Sequence, residues 1–398
     1  HDLAMSEPGR QHHLSLDEGL ESPYAENVLR EMDADGRVGL KSAPDALLNK
    51  AREKTRGYPR ALEALYAILS VDRYTTLEEL LELRLPDEVV QKLVGEAFNR
   101  LDPSAQKVMQ ALAVYNRPVS PAAIDYLLQP HLPSIDSALV LNRLVNMHFA
   151  RREAGRYYLH PADKEYAFGL IGNGESGVGK SDSPRLPIPN VPIPDFRFTQ
   201  QDLLNRAADF FAQARKPREE WKKLDDLAAQ LAEFELRCEA GDYDTAVSVL
   251  KEIHFDCLLL WGHYRLMIDL HLRVKDKILD ENLRMGNLNG LGLAYSDIRI
   301  EKEAVACFEI GLQIARREKN RGYEGVFLGN LGNVYSNLGE MQKAREYYEQ
   351  ALIIDREIGN KTGEGTELGN LGITFFLLGN LQKAIEHYED ALKIHQEV

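Results

Sequence analysis

The sequence predicts a mainly α-helical protein that ends in an α-solenoid of helix hairpins. Its last third repeats every 40 residues: Gly292, Gly332 and Gly372 align, and residues 321–358 share 19 of 38 positions with residues 361–398. Most of the remaining chain carries apolar residues at helical spacing. A period of this length is typical of stacked helix–turn–helix units, in which each unit covers the apolar face of its neighbour.

Residues 1–20 are predicted to be a disordered leader. They begin with His rather than Met, and HDLAMSEPGRQHH lacks the apolar stretch of a signal peptide. We interpret them as an expression remnant or as the cut end of a longer protein.

Residues 21–85 are predicted to form a helical subdomain. The segment TRGYPRALEAL places Pro59 in the first turn of a helix, where proline is common. This segment resembles the Gly-x-Pro segment of STAND NTPases, the NB-ARC class of signalling ATPases, which lies in the small helical subdomain after their nucleotide-binding domain. The resemblance implies that Pro59 packs near the adenine. The alternative is that Pro59 only begins a helix.

Residues 86–170 are predicted to form a winged helix. LDPSAQKVMQALAVY, SPAAIDYLL and SIDSALVLNRLVNMHF have the spacing of three helices, and FARREAGRYYLH reads as a hairpin that turns at Ala154 and Gly155. Sequence-specific DNA binding is disfavoured, because the third helix carries only Arg143 as a basic residue. In STAND proteins the winged helix is instead an internal regulatory module.

A histidine follows the predicted wing, in Leu159-His160-Pro161. STAND proteins carry a Met-His-Asp-like motif at this place, and its His senses the nucleotide diphosphate. His160 matches that His, whereas Pro161 stands where the motif has Asp. The resemblance implies a nucleotide-sensing role for His160, and the alternative is a purely structural histidine.

Residues 171–198 are predicted to be a Gly/Ser/Pro-rich linker, although GESGVGKS matches the phosphate-binding loop pattern. In a working loop the glycines would bring backbone N–H groups to phosphate, the lysine would reach the β/γ phosphates and the serine would hold Mg²⁺. These residues are Gly174, Gly179, Lys180 and Ser181. Such a loop must precede a helix, but five prolines between Ser183 and Phe196 prevent one from starting there. The linker interpretation is therefore favoured.

Residues 279–398 are predicted to form three repeats of 40 residues. Leu331, Gly332 and Tyr335 fall on one face of a first helix. Gly339 lies at the following turn, where the end of a helix favours a left-handed residue. We expect each repeat to pack small residues of one helix against aromatic residues of the next.

The pattern LGNLG…LG…A…YYEQAL resembles the tetratricopeptide repeat (TPR) family in a 40-residue form, similar to the kinesin-light-chain style. Residues 199–278 are expected to be degenerate TPR-like helices, because AGDYDTAVSVL at 240–250 matches a turn and second helix. Phe234 stands there where the pattern has Gly. Val398 comes directly after a second helix, so we expect the array to continue beyond it.

TPR superhelices bind extended peptides or partner helices in a groove lined by first helices, so the resemblance implies a protein or peptide ligand. Asn330 and Asn370 occupy equivalent groove positions, and Asn333 and Asn337 follow one and two turns on. An Asn amide offers donors and an acceptor, so it can pair with a peptide backbone of any sequence. The alternative is that these amides are solvated or bond between helices. Gly290 at the matching place in the first repeat predicts a break in the row.

The composition excludes several classes of function. The chain carries 48 Lys+Arg and 62 Asp+Glu, for a net charge of −14, which argues against nucleic-acid and anionic-membrane partners. No run of about 20 apolar residues predicts a transmembrane helix. Three scattered cysteines suggest neither a disulfide framework nor a zinc site, so we expect a cytoplasmic protein. No pattern of catalytic residues or metal ligands is evident.

The resemblances together predict the regulatory and ligand-sensing region of a STAND-type signal-transduction ATPase. The winged helix would maintain the autoinhibited state, and the TPR groove would receive a protein or peptide trigger. They imply no cofactor in this chain itself. ATP or ADP with Mg²⁺ is expected only in an upstream NTPase domain of a longer parent, which this chain would contact and which would form an oligomer on activation.

Three other functions compete with this prediction. The first is a free-standing TPR scaffold or adaptor protein, which no upstream NTPase domain would accompany. The second is an ATP-binding enzyme that uses GESGVGKS, which would require nucleotide binding that depends on Lys180. The third is a transcription factor, which would use the winged helix to bind DNA.

Overall fold

The computed structural model describes residues 19–72, 74–82, 89–130, 132–171 and 199–397, and this part of the chain is mainly α-helical, as predicted. The helices are α1 (Tyr24–Met32), α2 (Asp45–Thr55), α3 (Pro59–Val71), α4 (Leu77–Glu82), α5 (Val89–Asn99), α6 (Pro103–Tyr115), α7 (Pro121–Leu128), α8 (Ser137–Asn146), α9 (Pro161–Gly169), α10 (Gln200–Gln213), α11 (Ala228–Glu239), α12 (Tyr243–Ile253), α13 (Tyr264–Val274), α14 (Glu281–Asp297), α15 (Glu301–Arg317), α16 (Arg321–Asn337), α17 (Met341–Ile358), α18 (Lys361–Leu377) and α19 (Leu381–Glu397). The strands β1 (Arg151–Glu153) and β2 (Arg156–Tyr158), two 3-10 helices (Arg218–Glu220 and Leu224–Leu227) and a π-helix (His254–Leu259) complete the described elements.

The chain forms two compact units, of which the first ends at Phe210 and the second begins at Phe211. The division falls within α10, which the sequence groups with the repeat-like helices that start at residue 199. The structure differs because the ring of Phe210 packs on Tyr115 and Tyr126, with centroids 6.2 and 5.6 Å apart. Most of α10 therefore belongs to the first unit.

In the first unit, α6, α7 and α8 are followed by an antiparallel hairpin in which Arg151 pairs with Tyr158. The hairpin turns through Ala154 and Gly155, both with positive φ, as a two-residue turn between twisted strands requires. Asp102 caps α6 by accepting from the backbone N–H of Ala105 at 3.1 Å, which confirms the predicted helix start. The elements occur in the predicted order, and the winged helix over 86–170 stays a prediction.

In the second unit, α14 to α19 form three successive hairpins, each with its two helices packed together. A Cβ added to Gly332 would lie 2.5 Å from the Tyr348 ring, and Gly372 meets Tyr388 in the same way. The predicted contact of small and aromatic residues between paired helices is thus confirmed. Gly339 has φ +79° at its turn, whereas the first hairpin places Arg299 there with φ 62°.

A further hairpin, α11 and α12, precedes the three repeats, and it turns at Gly241 with φ +77°. The sequence predicts this turn and second helix, but it does not predict the π-helix after α12 or the additional helix α13. Helix α13 packs on both α12 and α14. Phe234, which replaces the usual glycine, is buried in the core of this unit.

Candidate functional site

The first helices of the three repeats share an exposed face that their second helices do not cover. Its residues follow one another at three- or four-residue intervals, so each set lies along one side of its helix. We call this set the first-helix face: Asn289, Leu293 and Asp297 in α14; Val326, Asn330, Asn333 and Asn337 in α16; Thr366, Asn370, Ile373 and Leu377 in α18, all exposed or half-buried. Asp297 is the one charged member of this set.

Two of these amides bond to each other across neighbouring helices. The side-chain amide of Asn330 donates to Oδ1 of Asn289 at 2.7 Å, although the sequence predicts a break in the row at Gly290. The break is bridged because Asn289, one residue earlier, lies on the side of α14 that faces α16. The bond leaves Oδ1 of Asn330 and the amide N–H groups of Asn289 available to a ligand.

The other predicted asparagines are in different states. Oδ1 of Asn333 accepts from the Tyr348 hydroxyl at 2.8 Å, so this amide presents its N–H donors. Asn337 is exposed. The amide of Asn370 is 3.5 Å from Oε2 of Glu367, which is the outer limit of a hydrogen bond. The four amides therefore lie on one surface, and Asn333 is the one polarised by its own repeat.

Glu367 is a buried carboxyl beside this face that sequence reasoning missed. A Cβ added to Gly329 would lie 2.5 Å from its Oε1, so the absence of a side chain on α16 makes room for it. Burial raises the pKa of Glu367 to about 7, the charge of Asp355 acts in the same direction, and the bond from Asn370 opposes both. The one available signal was an acidic residue where the preceding repeat has Phe327.

The first unit contains the second predicted region, around Pro59 and His160. Pro59 is the first residue of α3, as predicted, and the following Arg60 is buried. The Arg60 guanidinium donates to the buried carboxylate of Asp163 in α9, to Oε2 of Glu63 at 2.9 Å and to the backbone carbonyl of His148 at 3.1 Å. These contacts join the start of α3 to α9.

His160 caps α9 and is half-buried. Its Nδ1 accepts from the backbone N–H of Ala162 at 3.3 Å, which fixes the orientation of the ring. Burial lowers the pKa of His160, and the charge of Arg60 lowers it further, whereas Glu63 opposes them. His160 is therefore neutral at pH 7. Pro59 and His160 each begin a helix, and Arg60 and Asp163 connect those two helices.

Gly174, Gly179, Lys180 and Ser181 lie outside the described residues. Within the described residues, no group of three or more His, Cys, Asp or Glu side chains could hold a metal ion. In the same part of the chain, no helix is long and apolar enough to cross a membrane.

Residues 323–397 match the family model of the tetratricopeptide repeat, so the chain contains a TPR region. This match covers the last two of the three predicted repeats. No match was found among curated proteins.

Several solved structures are similar to the chain. A STAND protein with a tetratricopeptide repeat sensor from Pyrococcus horikoshii is 15% identical, with a TM-score of 0.41 over 96% of this chain. The chain spans about half, 54%, of that protein's length. BtubC from P. vanneervenii is 19% identical, with a TM-score of 0.32 over 50% of this chain and 76% of its own.

A Rap protein complexed with competence and sporulation factor is 12% identical to the chain. Its TM-score is 0.33, over 94% of this chain and 78% of its own. All these identities and TM-scores are low, so the likenesses carry no argument about function.

Proposed function

We propose that the first-helix face binds an extended segment of a partner polypeptide. The observation that carries this proposal is the row of side-chain amides that crosses α14, α16 and α18. Its members keep unused donors and acceptors after their internal bonds: Oδ1 of Asn330, the N–H groups of Asn289 and Asn333, and Oδ1 of Asn370. An extended backbone offers alternating carbonyl and N–H groups, which such a row can pair.

The chemistry of this face favours a segment without strong charge. Val326, Ile373 and Leu377 are apolar side chains that are about half exposed, and the amides lie among them. A partner would bury these apolar groups and satisfy the amides at the same time. Charged side chains in the bound segment would gain little, because Asp297 alone could pair with one of them.

A peptide selection tests this proposal. A displayed library of random 12-residue peptides is selected on the full chain, and the affinity of the enriched peptide is measured by calorimetry. We expect Asn330→Ala and Asn370→Ala each to weaken binding, by about 1 kcal/mol or more per hydrogen bond lost. Gln350→Ala is the control, because Gln350 is an exposed amide on the second helix α17. Equal losses from all three changes would contradict the proposal.

We further propose that the chain is a regulatory and ligand-sensing region of a STAND-type ATPase, whose first unit maintains the autoinhibited state. The support is the connection of α3 to α9 through Arg60 and Asp163, because the residues that begin these helices are the proposed adenine contact and diphosphate sensor. ATP or ADP with Mg²⁺ would bind in an NTPase domain of a longer parent. A free-standing adaptor would need no such connection.

Nucleotide titration separates these functions. We expect this chain alone to bind neither ADP nor ATP in calorimetry, whereas a parent with an NTPase domain binds ADP and loses affinity on His160→Ala. Unchanged ADP affinity of that parent variant would contradict the sensing role. Binding by the chain alone that Lys180→Ala abolishes would instead support the ATP-binding enzyme.

A further inference from the structure

Two buried histidines meet beneath α14, at the place where the row of asparagines is interrupted by Gly290. His254 begins the π-helix that follows α12, and His271 lies in α13. Their ring centroids are 5.3 Å apart. His271 is 1% exposed, and the Nδ1 atom of His254 is buried. π-Helical turns are rare and often occur at functional sites.

The tautomer of His271 follows from its partner Asn287. The amide of Asn287 donates to the backbone carbonyl of His271 at 3.3 Å, so the amide nitrogen faces that carbonyl. Oδ1 of Asn287 is then 2.6 Å from Nδ1 of His271 and must accept a proton from it. Since Nδ1 carries the proton, Nε2 of neutral His271 has a bare lone pair.

The bare nitrogen of His271 and Nδ1 of His254 converge on one point. A Cβ added to Gly290 would lie 2.5 Å from the former and 2.9 Å from the latter. Neither nitrogen has a hydrogen-bond partner among the described residues. Burial lowers the pKa of His271 to about 3 and that of His254 to about 4, so both rings are neutral at pH 7.

This is the arrangement of a metal-binding imidazole pair. A ligating histidine normally donates its other ring N–H to an oxygen, as His271 does to Asn287. A divalent ion such as Zn²⁺ normally takes four ligands, but no third His, Cys, Asp or Glu joins the pair within the described residues. A monovalent d10 ion is satisfied by two nitrogens. Among the charges that reach His254, Asp256 favours a cation and Lys251 opposes it.

We propose that His254 and His271 bind one Cu(I) ion, through Nδ1 and Nε2 respectively. The ion would link the π-helix after α12 to α13, and Asn287 would hold the His271 ring in its ligating tautomer. The site would lie below the first-helix face and would not require a partner polypeptide. It is independent of the function proposed above.

Anaerobic titration of the full chain with Cu(I), supplied as its acetonitrile complex in competition with bicinchoninate, tests this site. We expect one tightly held equivalent, with nitrogen and no sulfur ligands in the X-ray absorption spectrum. His254→Ala and His271→Ala should each weaken Cu(I) affinity at least about tenfold, since even loss of an outer partner has about that effect.

Two controls protect this experiment. His263→Ala removes a nearby imidazole, and Cys257→Ser removes the buried thiol three residues after His254; neither should change Cu(I) affinity. Circular dichroism verifies that each variant is folded, and half-buried His254 provides a variant that the fold tolerates if His271→Ala does not fold. No Cu(I) uptake by the parent chain, undiminished uptake by His254→Ala, or loss of uptake in Cys257→Ser would overturn the proposal.

Discussion

Arg60 and Asp163 form a buried ion pair between helices that are 103 residues apart in the chain. Their side chains are 6% and 1% exposed, so neither charge is solvated by bulk water. Such a pair adds little stability relative to apolar residues, but one charge left without the other is costly. The pair therefore enforces the contact of α3 with α9 that the proposed nucleotide-sensing role requires.

Breaking this pair should destabilise the first unit strongly. We expect Asp163→Ala to lower the free energy of unfolding by about 3–5 kcal/mol, and the double change Arg60→Met with Asp163→Leu to recover much of that loss. Urea denaturation measures both. Arg143→Ala is the matched control, because its ion pair with Asp102 is about half exposed and should contribute little. A small effect of Asp163→Ala would show that the contact does not depend on the pair.

The contact between Gly332 and Tyr348 should be intolerant of one added methyl group. Gly332→Ala places a Cβ 2.5 Å from the Tyr348 ring, so we expect a loss of about 1–3 kcal/mol in the free energy of unfolding. Gly369→Ala is the control, because no heavy atom lies within 4 Å of the added Cβ. It should stabilise α18 by up to about 1 kcal/mol, since alanine favours helix. Equal losses from both, in thermal unfolding, would contradict the packing.

The buried carboxyl of Glu367 should make the stability of the repeats depend on pH. Its folded pKa of about 7 lies above the ordinary 4.5, so the folded state holds the proton more tightly. The stabilising effect is complete below pH 4.5 and is lost as the pH rises through 7. At pH 8 we expect Glu367→Gln to be about 2–3 kcal/mol more stable than the parent.

Unfolding at pH 5 and at pH 8 measures this difference. Glu349→Gln removes a carboxyl that is about half exposed, and it should leave the pH profile unchanged. A profile that is also unchanged in Glu367→Gln would mean that the Glu367 carboxyl is solvated.

The turn of the first repeat should be improved by glycine. Arg299 has φ 62°, a left-handed conformation that costs an L residue about 1 kcal/mol, whereas the next repeat has Gly339 at this position. We expect Arg299→Gly to raise the free energy of unfolding by a few tenths to about 1 kcal/mol, net of its greater unfolded-state entropy. Gly339→Arg is the reciprocal variant and should lower it. The same sign of change in both would contradict the turn conformation.

Local patterns in the sequence predict much of this fold. The 40-residue period locates the helix pairs, Gly332 marks a close contact, and Gly339 marks a turn, because each depends on residues near in sequence or on an exact repeat. Pro59 and Asp102 likewise mark helix starts through backbone geometry and capping.

The contacts that were missed depend on tertiary packing. Arg60 and Asp163 meet only when α3 and α9 are packed, and neither residue belongs to a recognisable pattern. Asn289 joins the amide row from one residue outside the repeat register, because the side of α14 that faces α16 includes it. The π-helix and α13 interrupt the period, so the place where His254 meets His271 has no counterpart in the other repeats.

Photocrosslinking tests the central claim, that the first-helix face binds the partner segment, most directly. Benzoylphenylalanine is introduced at Val326 on the first-helix face, or at Ile353 on the second helix α17, and the selected peptide is irradiated with each variant. Both positions are apolar and about half exposed, so they match in chemistry. The account predicts a crosslink from position 326 and none from position 353. A crosslink from position 353, or equal yields from both, would contradict it.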